Sequence, residues 1–249
     1  MKFSRKKQDH FLQFLMKFFV KNQWKPTIVL LYSTLAMIFW YYFSPEFAVQ
    51  HVVTEKLVEN HVITFFEGTS KVFSAFGVFG VLPIIIVKFV FREKLADYGL
   101  QKGNLLRLIR GTLICVPVAF ILGFWTSYSP AYRAVYPYNP AVTNSPGIFL
   151  CHAATYLTYY FGWEFFFRGF LQNGLKDSLG IYNAILIQTM ASAMLHFGHP
   201  CSEAIASIFG GILWGIIAVR CGSIWSGFVQ HSVLGITLDW FLLKNSDGY

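Results

Sequence analysis

Glu164 and Arg168 stand four residues apart, with His196 32 residues beyond Glu164 and His231 35 residues beyond that. All four fall inside strongly apolar stretches, as does Asp239, while His199 and Glu203 lie just past the end of one such stretch. Charged groups at the centre of a bilayer cost roughly 2.5–3.5 kcal/mol each on insertion scales, so they persist where they face a protein interior and mark function. A carboxylate held away from bulk water can act as a general base near neutral pH. One imidazole can share the attacking water, and a second can donate to the oxyanion of a tetrahedral intermediate. Glu164 with His196 and His231 therefore describes hydrolysis of a peptide bond by activated water. No Ser or Cys stands beside a base, which argues against a covalent nucleophile.

The elements that must position these groups are helices. A membrane helix needs about 20 predominantly apolar residues, and seven stretches qualify: Thr27–Ser44, Val72–Phe91, Leu105–Tyr128, Gly147–Gln172, Ile181–Phe197, Ala204–Val219 and Ile224–Leu243. His10–Val20 is apolar but carries Lys17, and reads as an amphipathic helix in the interface; as an extra span it would make eight. Ser129–Pro146 holds four prolines and reads as a loop. Glu164 and Arg168 share one helical face, and His231, Gly235 and Asp239 form a second stripe. At 1.5 Å per residue, Glu164 lies about 18 Å from Lys176, His196 about 21 Å from Tyr182, and Asp239 about 24 Å from Ser223. Arg168 and His231 both come out near 12 Å. Three helices thus bring polar groups to one band of the membrane, where Arg168 and Asp239 would support the reacting set.

Composition agrees. Of 249 residues 55% are hydrophobic and 13% charged, with a net charge of +8 and a mean hydropathy of +0.49; a soluble domain has about twice that share of charge. Disorder, a collagen-like fibre and an ordinary cytosolic enzyme are excluded, and so is nucleic-acid binding, because the basic residues are spread between apolar runs. With the N-terminus inside, 15 Lys and Arg lie in cytoplasmic segments and four in outside ones, which predicts a cytoplasmic N-terminus. Cys115, Cys151, Cys201 and Cys221 have no metal-site spacing and read as free thiols.

The segment Trp163-Glu164-Phe165-Phe166-Phe167-Arg168-Gly169 resembles the first motif of the CAAX-protease and bacteriocin-processing family (CPBP, or Abi) of intramembrane glutamate endopeptidases. That motif is Glu-Glu-x-x-x-Arg, followed by Phe-x-x-x-His and then His-x-x-x-Asn or a variant. His196 fits the second motif and His231 the third, and Leu95-Ala96-Asp97-Tyr98-Gly99-Leu100 is similar to a Gly-Leu segment of the family; the similarity covers about residues 92–243. Trp163 stands where the first Glu is expected, which relatives use as catalytic base, so this chain resembles a branch with a single Glu. Ser192 replaces the Phe of the second motif and Gly235 the Asn of the third. The resemblance implies an all-α polytopic bundle and an endopeptidase in which Glu164 activates water with His196 and His231 stabilises the oxyanion. It leaves open a catalytically silent, partner-binding or immunity protein on the same scaffold.

The expected organisation is a basic amphipathic segment over residues 1–26 and one transmembrane domain over 27–249, in a bacterial inner membrane. The expected partners are a membrane-associated or prenylated, CAAX-like peptide and the lipid bilayer, without nucleic acid and without a cofactor. A zinc protease is the alternative, since His196, His199, Glu203, Glu164 and His231 include zinc-compatible ligand types, although no His-Glu-x-x-His pair is present. A transporter with a proton relay would show broken helices in two related halves, and no such symmetry is visible.

Overall fold

A computed structural model of the chain describes residues 24–43, 69–137, 139, 142 and 145–246. The amphipathic segment at His10–Val20 and the glutamate-rich segment between the first two spans lie outside the described residues. Within them the chain is helical and contains no strand. It forms α1 (Trp24–Phe43), α2 (Thr69–Phe91), α3 (Leu105–Thr126), α4 (Pro146–Glu164), α5 (Gln172–Leu179), α6 (Ile181–Met194), α7 (Cys201–Cys221) and α8 (Trp225–Ser246). All seven predicted spans are helical. Four of them, α1, α2, α3 and α7, are long and apolar enough by themselves to cross a bilayer. The chain is an all-α, multi-pass membrane protein.

Which helices carry the polar groups follows from where they pack. In α3 only Ala119 and Gly123 are buried, so its apolar surface faces lipid. At its N-terminus, Asn104 caps it by accepting from the Arg107 amide at 3.0 Å. In α4, by contrast, Phe149, His152, Tyr156, Tyr159, Tyr160, Trp163 and Glu164 are all buried. Polar side chains are tolerated there because protein surrounds them on every side. Small residues bring the helices together, since helix association in lipid depends on close packing. A Cβ on Gly123 of α3 would stand 2.7 Å from the Leu234 carbonyl of α8, one on Gly162 of α4 3.1 Å from Phe76 Cα of α2, and one on Gly211 of α7 2.8 Å from Thr189 of α6.

Between α4 and α5 the chain does not stop. It continues as a π-helix over Phe165–Leu171, the widened turn often found at functional sites. Phe165, Phe166, Phe167 and Phe170 are fully buried; Phe166 packs on Phe79 of α2 and Phe167 on Trp163 of α4, and both of those rings meet Trp40 of α1. The phenylalanine run after Glu164 is thus an internal aromatic core and not lipid-facing.

Two boundaries differ from expectation. The predicted loop Ser129–Pro146 begins with a helical turn, Pro130–Arg133; proline suits the first helical position because its missing N–H would be unpaired there anyway. The predicted span Ile181–Phe197 ends as a helix at Met194. Its 14 residues rise about 21 Å, short of a hydrocarbon core of about 30 Å. The turn that follows carries His196 and His199. Non-helical backbone at such depth is tolerated where protein buries it or where it lines a watery cavity.

Candidate active site

Three carboxylates sit inside the C-terminal half, each against an imidazole. Glu164, on the last turn of α4, is fully buried, and its Oε1 accepts from His231 Nδ1 of α8 at 3.0 Å. Arg168, one turn on in the π-helix, places Nη1 3.2 Å from the same oxygen and is itself 1% exposed. Its guanidinium lies over the Trp214 ring, 5.3 Å from the centroid. With an arginine beside it the carboxylate is the acceptor and His231 the donor, which leaves His231 Nε2 for another partner. The His231 ring lies between Tyr160 and Trp214, at centroid distances of 4.6 and 4.5 Å.

Two glycines of α8, one turn to either side of His231, make this arrangement possible. A Cβ on Gly227 would meet Glu164 Oε2 at 2.6 Å, and a Cβ on Gly235 would occupy the place of the Tyr160 hydroxyl. Gly235 is therefore the absence of a side chain where α4 supplies one.

The second carboxylate is Asp239. Its Oδ2 lies 2.8 Å from His152 Nε2, with both side chains sealed at 2% exposure or less. The structure brings Asp239 to His152 of α4 and not to His231, although the two share a stripe of α8. His152 packs on Phe149 and Tyr156, so this pair sits within an aromatic wall.

The third is Glu203, in the first turn of α7. Its Oε1 accepts from the Tyr136 hydroxyl at 2.6 Å and lies 3.2 Å from His199 Nδ1 and 3.8 Å from His196 Nε2. Here the side chains of Glu203, His199 and His196 are 17%, 18% and 14% exposed, so the cluster can be reached. His196 Nδ1 lies 2.8 Å from the Ser192 carbonyl; a carbonyl only accepts, so Nδ1 carries the proton and Nε2 presents a lone pair.

Trp163 joins the groups. Its buried indole lies 5.8 Å from the His196 ring and 6.2 Å from the His231 ring, edge-on to both. Several buried polar atoms around it have no hydrogen-bond partner among the described residues: Trp163 Nε1, Glu164 Oε2, Arg168 Nε and Glu203 Oε2. Buried polar atoms are nearly always paired, so a polar ligand, substrate or water is their natural complement. Glu164, Arg168, His196, His199, Glu203 and His231 all contribute to this region, and Asp239 stands apart from it.

Sequence reasoning missed Tyr136, which lies in a proline-rich segment with no helical spacing to reveal it, and Tyr160, one aromatic among many. His152 carried a signal, since an ionisable residue inside a span needs a partner. Among the described residues no three His, Cys, Asp or Glu side chains converge as a metal-binding group. The four cysteines are free thiols.

No curated protein and no solved structure matches the chain. Residues 144–237 match the family model described as Type II CAAX prenyl endopeptidase Rce1-like. The match spans α4 through most of α8, well under half of the chain, and contains Glu164, Arg168, His196, Glu203 and His231 but neither Asp239 nor Tyr136. The helices that build this site are thus similar to those of a family of CAAX-type membrane proteases.

Proposed function

We propose that the protein is an intramembrane endopeptidase that hydrolyses a peptide bond of a membrane-associated or prenylated, CAAX-like peptide with activated water. The observation that carries this reading is the pair of imidazoles that both pack on Trp163, one on Glu164 and one facing Glu203, inside a membrane bundle. His196 Nε2, its lone pair made available by the Ser192 carbonyl, accepts the proton of the attacking water. His231, held by Glu164 Oε1, stabilises the oxyanion through Nε2. Glu164 acts on the reaction through His231: it orients that imidazole, and a carboxylate beside it favours the doubly protonated form in which Nε2–H donates to the oxyanion, while Arg168 holds Glu164 in place.

The similarity of residues 144–237 to Rce1-like type II CAAX prenyl endopeptidases supports a lipidated peptide as substrate. Lys25, Lys176, Arg107 and Arg220 stand at ends of α1, α5, α3 and α7 that meet on one side of the bundle, which supports a cytoplasmic N-terminus under the positive-inside rule.

Comparative proteomics of membrane peptides from cells carrying wild-type, Glu164→Gln or His196→Ala protein tests the reading. New peptide termini should depend on the wild-type chain and be lost in both variants at equal expression. Wild-type-dependent cleavage retained in full by both variants would sink it, and termini that do not depend on the chain at all would favour the silent scaffold, a reading that draws on the complete burial of Glu164 against Arg168.

A further inference from the structure

We propose that Glu203, contributed by α7, is the carboxylate that works with His196 to take the proton from the hydrolytic water. This rests on the protease reading above and assigns a residue within that same site.

Glu164 is already committed to other partners. Its Oε1 is taken by His231 and faces Arg168, both side chains of the ion pair are at 1% exposure or less, and its Oε2 is backed by the α8 backbone at Gly227. That Oε2 has no hydrogen-bond partner among the described residues either, but the whole Glu164 side chain is sealed, whereas that of Glu203 is 17% exposed. Trp163, the residue before Glu164, offers an indole, which cannot accept a proton.

His196 meets no such obstacle. Its Nδ1–H is committed to the Ser192 carbonyl, so Nε2 can only accept, and what it faces is Glu203 Oε1 at 3.8 Å. An imidazole lone pair facing a carboxylate beyond hydrogen-bond distance calls for a donor that reaches both groups. Water is such a donor, with one O–H for the imidazole and one for the carboxylate. Oε1 already receives the Tyr136 hydroxyl and faces His199, but Oε2 is buried with no hydrogen-bond partner among the described residues. Tyr136 and His199 therefore aim the carboxylate and leave its second oxygen for the water.

The step balances without a further reactant. The water oxygen bonds to the scissile carbonyl carbon while the carbonyl π pair moves onto oxygen, held by His231. One water proton passes to His196 Nε2, with Glu203 stabilising the imidazolium. That proton is then delivered to the amide nitrogen as the C–N bond breaks, and the products are a carboxyl group and an amine. Glu203 touches the water and is a catalytic residue; Tyr136 and His199 are positioning residues.

The test uses the full chain. Membrane-peptide proteomics first identifies a wild-type-dependent cleavage, and a synthetic peptide spanning that cleavage then serves as probe for purified protein. Glu203→Gln should lower kcat by about 100-fold or more, the scale of general-base catalysis, with KM unchanged. Glu203→Asp should retain part of the lost rate, because the base survives on a shorter arm. Tyr136→Phe should lower kcat less than Glu203→Gln does. Elution profile and thermal unfolding in detergent check each fold, and Glu203→Asp carries the test if Glu203→Gln does not fold. Cleavage by Glu203→Gln within about twofold of wild type, or an Asp variant no better than Gln, overturns the assignment while leaving the protease reading intact. Indistinguishable membrane peptides from wild-type and His196→Ala cells overturn both.

Discussion

The seam between α4 and α8 and the turn between α6 and α7 both carry carboxylates against imidazoles, yet they treat them differently. At the seam, Glu164 with Arg168 and Asp239 with His152 are sealed, with every one of these four side chains at 2% exposure or less. At the turn, Glu203, His199 and His196 remain between 14% and 18% exposed. A buried charge is strongly destabilising once its partner is gone, whereas a partly solvated pair contributes little to stability. Beneath His231, whose side chain is 14% exposed and faces the site, the seam thus has the chemistry of a brace, and the turn that of a site where protons and water can pass.

The sharpest way to break that contrast is Arg168→Met, which leaves Glu164 buried without its cation. A loss of about 3–5 kcal/mol of stability is expected, read as a fall in the unfolding midpoint in detergent, with Glu164→Gln in the same chain restoring part of it. His152→Phe keeps a ring in the aromatic wall but leaves Asp239 unpaired, and about 1.5–3 kcal/mol should be lost in the same measurement. Gly235→Ala drives a methyl into the place of the Tyr160 hydroxyl, for an overpacking penalty of about 1–3 kcal/mol and a displaced ring over His231. Glu203→Gln should shift the midpoint by less than about 1 kcal/mol, even as hydrolysis is lost. A large loss of stability there would erase the distinction between the two regions.

The smallest effect is expected at the membrane boundary, where Lys25 Nζ lies 2.8 Å from Glu93 Oε2 with the side chains 21% and 34% exposed. Burial pushes the Glu93 carboxyl up, but hydrogen bonds from Lys25 and Tyr98 outweigh it and the net direction is below the ordinary carboxylate value. A lowered folded-state value means stability that is present above the unfolded pKa and disappears as pH falls through the folded one. The difference between wild type and Glu93→Gln should be at most about 1 kcal/mol near neutral pH. It should vanish in acid below the usual carboxylate pKa of about 4.3, as followed by unfolding midpoints across pH.

The fold was largely legible in the chain. Apolar run length alone located seven of the eight helices, because about 20 apolar residues in a row have few other outcomes; the polar α5 (Gln172–Leu179) was not among them. The ends were less legible. Met194 closes α6 early, and nothing in Leu195-His196-Phe197 distinguishes that turn from a continuing helix until Gly198 and Pro200. Within a single helix the site could also be read, since Glu164 and Arg168 meet through the 3.6-residue period and its π-helical widening. Partnerships between helices could not. Asp239 shares a stripe with His231 and nevertheless meets His152, 87 residues away, and Glu203 is held by a tyrosine from a proline-rich loop 67 residues earlier.

By itself, then, the sequence determined that the chain lies in a membrane, which residues within it are ionisable, and which of them share a helical face. Those follow from hydrocarbon thickness and backbone period, both local quantities. Only the tertiary structure decided which carboxylate meets which imidazole. One residue of helical rotation turns a side chain by about 100°, so those encounters depend on how each helix is rotated against its neighbours. That rotation is set by close contacts such as Gly227 on Glu164 and Gly235 on Tyr160, which exist only once α4 and α8 have packed.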